Sequence, residues 1–113
     1  MSFSRAQLKS FTGGTLPDLI DERVRLLFVG YNPGLLSVAV QAHFAPRGNR
    51  FYPALLRAGI TDHLIDAAGG LEAADRAYLL GRGIGITSLV ARATAGADEL
   101  SAAELAAGAG ALA

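Results

Sequence analysis

The stretch VRLLFVGYNPGLLS, residues 24–37, decides how the rest of the chain is read. The apolar run Leu26-Leu27-Phe28-Val29 stops at Gly30-Tyr31-Asn32-Pro33-Gly34, and a second apolar stretch starts at Leu35. A near-continuous apolar run of this length reads as a strand buried on both faces, as in a parallel sheet. Pro33 suits the first turn of a helix, where its missing N–H costs nothing. The stretch is therefore a strand over 24–29 that breaks through a tight turn into a short helix over 35–40. In α/β proteins, sites are built at that junction, outside the carboxyl end of a strand. Asn32 sits at its centre.

Residues 1–14 are polar without a clear period and read as a flexible tail. The segment from Leu16 to Ile20 packs something apolar ahead of the strand. Beyond the turn, 41–49 reads as a loop with Pro46 and Gly48 as breakers. A helix over 50–58 carries Phe51, Ala54 and Leu55 at helical spacing, and Gly59 ends it. A short helical segment over 62–68, a helix over 71–82 and a second strand over 85–90 come next, then a loop over 91–98. Ser101-Ala102-Ala103-Glu104 is a capping box opening a last helix that meets Gly108 and Gly110. The order predicts α/β architecture, a parallel strand pair joined by a helical crossover. Two strands do not make a well-covered parallel sheet, so the expectation is an incomplete domain, or one that pairs with another copy.

Composition excludes several classes. Of the 113 residues about half are apolar, which is inconsistent with disorder, although Ala and Gly supply much of that fraction. The absence of cysteine excludes disulfides, thiolate metal sites and cysteine nucleophiles. His43 and His63 are isolated, which argues against zinc, and no cofactor is implied. There is no apolar run of membrane length and no signal-peptide core, which fits a chain of the reducing cytoplasm. Net charge is zero but unevenly spread. Up to Arg57 there are seven basic residues against three acidic, and from Ala58 onward three against seven. The basic half suits a polyanion, or is ordinary surface charge.

The turn at 30–34 has three readings. It is a backbone device needing glycine and proline, a phosphate loop at a helix N-terminus, or a catalytic amide at a strand end. The phosphate reading lacks both the Gly-x-Gly-x-x-Gly spacing and a Gly-Lys-Ser/Thr ending.

The neighbouring blocks bear on the choice. Val29-Gly30-Tyr31-Asn32-Pro33-Gly34-Leu35 resembles the first motif of the mismatch-specific uracil/thymine DNA glycosylases, a branch of the uracil-DNA glycosylase superfamily. His43-Phe44-Ala45-Pro46-Arg47-Gly48-Asn49-Arg50-Phe51-Tyr52 resembles that branch's next block. Gly85-Ile86-Thr87-Ser88-Leu89-Val90 with Arg92-Ala93-Thr94 resembles its later strand and loop. Asp98, Leu100, Ser101 and Glu104 match the stretch beyond that loop. The resemblance runs from about Leu16 to about Ala107.

It implies a three-layer α/β/α fold with a parallel central sheet, and hydrolysis of the N-glycosidic bond of a pyrimidine flipped out of the duplex. The implied partner is double-stranded DNA with a G·U or G·T mismatch, and the complete protein would be a monomer. Asn32 matches the position that orients water towards C1′. An amide is no general base near neutral pH, but it accepts a hydrogen bond from water. The base departs as an anion, so backbone N–H groups that stabilise it carry much of the work. Phe44 matches the ring that stacks on the flipped base, and Gly30 and Tyr31 border the pocket. Asn49 is expected to hold the loop by side-chain hydrogen bonds, and Arg50 to pair a carboxylate or support that loop. Arg47 is the candidate phosphate contact. Asp98, in the loop after the second strand, is an alternative water activator, or simply a turn residue before Ser101.

The family's second signature, an Asn-Pro-Ser segment with residues after it that wedge into DNA, has no counterpart here. The resemblance thus implies that 15–113 is the front part of a glycosylase domain with weak or no activity alone. The alternatives are a truncated non-catalytic fragment and a small Rossmann-like module that binds nucleotide or phosphate.

Overall fold

The computed structural model describes residues 3–94 and 102–112. The elements are α1 (Arg5–Lys9), β1 (Leu26–Gly30), α2 (Leu35–Val40), α3 (Phe51–Arg57), α4 (Ala73–Gly81), β2 (Ile84–Ser88) and α5 (Ala102–Leu112). The fold is α/β. β1 and β2 pair in parallel, from Leu26 opposite Ile84 to Gly30 opposite Ser88. The ladder continues past the strand ends, where Leu89 and Val90 N–H groups donate to the Gly30 and Tyr31 carbonyls at 2.8 Å. This brings the two loops that leave the carboxyl ends together.

β1 is not buried on both faces as its apolar run predicts. Leu26, Leu27 and Val29 are 37–43% exposed, whereas Ile84 to Thr87 of β2 are buried. The reason is the second partner of β2. Leu19 pairs with Ile86 by an antiparallel bridge with two backbone hydrogen bonds, of 2.8 and 3.0 Å. β2 therefore lies between β1 and the Leu19 segment, while β1 is paired along one edge.

The core gathers Leu19, Tyr52, Leu55, Ile65, Leu79, Ile84 and Ile86. α4 packs against β2 through Leu79, which is fully buried. A smaller cluster joins Leu16, Val38 and Ala93, with Phe11 and Leu35 against it. The stretch expected as a tail includes α1, closed by a capping box in which Ser4 Oγ and Gln7 Oε1 each accept a backbone N–H. Gly13 N–H donates to the Ala93 carbonyl at 2.9 Å, and Ala93 N–H to the Gly14 carbonyl at 2.8 Å.

No helix forms over 62–68. Side chains take up the backbone groups that a helix needs. Asp62 N–H donates to the Tyr78 hydroxyl at 2.9 Å, Thr61 Oγ1 donates to the His63 carbonyl at 3.1 Å, and Asp66 Oδ1 accepts from Ala68 N–H at 3.0 Å. His63 clips this loop to α4, with Nδ1 2.7 Å from Asp62 Oδ1 and Nε2 3.3 Å from Asp75 Oδ1.

The hydrogen bond to Asp62, then that to Asp75, raises the His63 pKa above its ordinary 6.5. A raised folded-state pKa contributes stability that is fully present below the unfolded value. It is lost as pH rises through the folded one. Buried His43 has the opposite shift, because burial disfavours its charged form. The comparison must therefore be a difference between proteins. The Tm of wild type minus that of His63→Gln is expected to be larger at about pH 6 than at about pH 8.5. The same difference at both values would show that the clip does not titrate.

Candidate active site

The turn between β1 and α2 forms at 31–34, with Pro33 just before the helix and not in its first turn. Gly34 is the N-cap of α2 in extended conformation, and Pro33 precedes it, buried. Together with the loop after β2 and the loop over 41–50, it encloses a cleft of about 350 Å³. That is the small end of the usual range for ligand sites and suits a single ring system. Gly30, Tyr31, Asn32, Phe44 and Asn49 all line it, joined by Ser37, His43, Ser88 and Thr94.

Asn32 is half-buried, and its side chain is held at both donor hydrogens. Nδ2 donates to the Arg92 carbonyl at 2.9 Å and to Thr94 Oγ1 at 2.8 Å. A carbonyl only accepts, so this pairing fixes which end of the amide is nitrogen. Oδ1 has no hydrogen-bond partner among the described residues. The cleft thus presents an oriented amide oxygen whose counterpart nitrogen is fully engaged.

Phe44 adopts φ 54°, the left-handed region that a bulky L-residue occupies only at a cost. Its ring lies against Phe51, with centroids 4.2 Å apart at 31°. The ring tip reaches over the end of β1, where a Cβ placed on Gly30 would sit 3.6 Å from Phe44 Cζ. Two buried contacts hold the flanks of this loop. Tyr52 hydroxyl donates to the His43 carbonyl at 2.8 Å, and Ala45 N–H donates to Ser37 Oγ at 3.2 Å. Burial pushes the Tyr52 hydroxyl pKa up to about 12, so it stays a neutral donor.

Asn49 Oδ1 accepts from Phe51 N–H at 2.9 Å, tying the loop to the start of α3. Tyr31 stands at the mouth, 62% exposed. Arg47 does not line this cleft but the adjoining depression. Arg50 is the N-cap residue of α3, exposed, and its guanidinium has no carboxylate within ion-pair distance among the described residues. Asp98 lies outside the described residues. Among those described, no carboxylate lines the cleft, and no group of acidic, histidine or cysteine side chains is arranged to hold a metal ion.

Thr94 and Arg92 hold Asn32 in the candidate site, and the sequence leaves them without a role. Both sit in the Arg92-Ala93-Thr94 segment, but nothing local says that a carbonyl and a hydroxyl there reach an amide about sixty positions away. Arg92 serves twice. Its carbonyl holds Asn32, and its guanidinium makes a two-bond pair with Glu104 of α5, at 2.7 and 2.8 Å.

No helix among the described residues is long and apolar enough to cross a membrane. Comparison with protein-family models gives a match to the uracil DNA glycosylase superfamily over residues 17–113. The matched span contains β1, the turn bearing Asn32, the Phe44 loop, β2 and the Arg92–Thr94 anchor. The chain belongs to the uracil DNA glycosylase superfamily.

Proposed function

We propose that the chain is a DNA glycosylase that hydrolyses the N-glycosidic bond of uracil, or thymine, flipped from a G·U or G·T mismatch, the first step of base excision repair. Superfamily membership supports a DNA glycosylase acting on uracil. The observation that carries the mechanism is the lock on Asn32 Nδ2, which leaves Oδ1 to accept from a water molecule.

That water is held in line with C1′ by orientation, not by deprotonation. Its oxygen bonds to C1′ as the C1′–N1 bond breaks. The bonding pair leaves with the base, and the water proton passes to solvent. The sugar carries oxocarbenium character at the transition state. With no carboxylate at the cleft among the described residues, nothing there balances that positive charge. The reaction is therefore slow and favours bases that leave readily as anions. Phe44 offers ring area for stacking, worth ~1–3 kcal/mol. Asn49 and Ser88 supply polar groups for the pyrimidine edge.

The phosphate-loop alternative has less support. Pro33 has no N–H to offer, and α2 is only six residues long. The deciding assay incubates excess protein with duplexes carrying G·U, G·T or A·U and scores alkali-labile abasic sites. Slow release is expected, G·U before G·T, and little from A·U. Equal release from G·U and A·U would remove mismatch selectivity. Folded protein that releases no base from any of them would remove the glycosylase reading altogether.

A further inference from the structure

The active-site cleft does not stand alone on its surface. A second depression of about 320 Å³ adjoins it, and the two share Phe44, Pro46 and Asn49 as a common ridge. A third, along α3, continues from the second through Pro53 and is bordered by Arg50 and Arg57. Three exposed arginines mark this path: Arg47 beside the second depression, then Arg50 and Arg57 at the two ends of α3. None of the three has an ion pair or side-chain hydrogen bond among the described residues. Three other arginines are engaged, Arg23 with Asp21, Arg92 with Glu104 and Arg82 with the Ile60 carbonyl, whereas Arg5, Arg25 and Arg76 lie away from this path. Among the described residues the one carboxylate lining the path is Asp66, whose Oδ1 already accepts from Ala68 N–H.

Two helical turns separate Arg50 from Arg57, about 10 Å along the axis. A DNA strand advances about 3.4 Å per phosphate along its duplex axis. The spacing therefore spans roughly three nucleotides. We propose that this path is a backbone-binding groove, in which Arg47, Arg50 and Arg57 take phosphates spaced along the DNA strand whose base occupies the cleft. The inference rests on the glycosylase reading and extends it to the direction in which the strand leaves the site, over α3. Arg50 thereby acquires a role as a phosphate contact rather than as a support of its loop.

The test is the salt dependence of binding to G·U duplex, measured by fluorescence anisotropy with the full chain. Each phosphate contact contributes about 0.9 to the slope of log K against log salt. The Arg50→Gln/Arg57→Gln protein is expected to lose roughly 2 from that slope. An Arg5→Gln/Lys9→Gln protein, which removes the same net charge from α1, should keep the wild-type slope. Equal losses in both double variants would show only a diffuse charge effect and overturn the groove. An unchanged slope in the α3 variant, alongside wild-type base release, would overturn the groove while leaving the glycosylase reading intact. Wild-type protein that neither binds nor cleaves the duplex would overturn both.

Discussion

Asn32→Ala is expected to lower the single-turnover rate of base release by about 100-fold or more, close to 2.7 kcal/mol of barrier. The size comes from what the side chain does. In the proposed mechanism it takes no proton and makes no covalent bond, so its whole contribution is the placement of one water. Misplacing a reactive group by about 1 Å is enough to cost that factor. Thr94→Val should have the same sign and a smaller effect, about 10-fold, because one of the two acceptors for Nδ2 survives in the Arg92 carbonyl. The Thr94 variant is informative because Thr94 is buried and acts on the amide, so its loss should fall on the chemical step rather than on DNA affinity. Far-ultraviolet circular dichroism and a urea midpoint would establish that each variant is folded. A folded Asn32→Ala protein working at the wild-type rate would eliminate the oriented-water mechanism.

The second large effect concerns α5, where two glycines two positions apart should respond with opposite signs. A Cβ on Gly108 would overlap the Leu89 carbonyl oxygen and lie 2.6 Å from its carbon. Those are backbone atoms next to the β1–β2 ladder and cannot swing aside. Gly108→Ala must therefore displace α5, with a destabilisation of about 3 kcal/mol, the upper end for overpacking. At Gly110 a Cβ would meet nothing within 4 Å. Gly110→Ala should stabilise by roughly 0.5–1 kcal/mol, the ordinary gain for replacing glycine inside a helix. Urea denaturation of the two variants measures both. Equal and small effects would mean that α5 does not press on Leu89.

These contrasts show where the sequence is informative. The strand, turn and helix around Asn32 were legible because Gly30, Pro33 and Gly34 interrupt the apolar runs locally, and Pro33 fixes its own φ. The parallel pairing was legible from two apolar runs separated by helical pattern. Residues of the first two sequence blocks, among them Phe44 and Asn49, do meet Asn32 at one cleft. Legibility failed wherever a distant partner decides. The run at 26–29 records a preference for burial but not the identity of its cover. Leu19 bonds to Ile86 and so makes β2 the inner strand. Residues 62–68 have a helical composition, yet Tyr78 and Asp75 of α4 claim their polar groups. Gly108 looks like a helix breaker in one dimension. In three it is the residue that permits close approach to another backbone.

Arg92 has a consequence beyond its bonds to Asn32 and Glu104. Its carbonyl restrains the amide that faces the cleft, its guanidinium restrains α5 through Glu104, and its backbone bridges Thr15. Occupancy of the cleft and docking of α5 thus share one residue, through which the two are expected to be coupled. Coupling of this kind is reciprocal. A ligand that tightens around Asn32 is expected to slow amide hydrogen exchange in α5 and at Gly13. Conversely, whatever steadies α5 from outside must strengthen the hold on that ligand by the same factor.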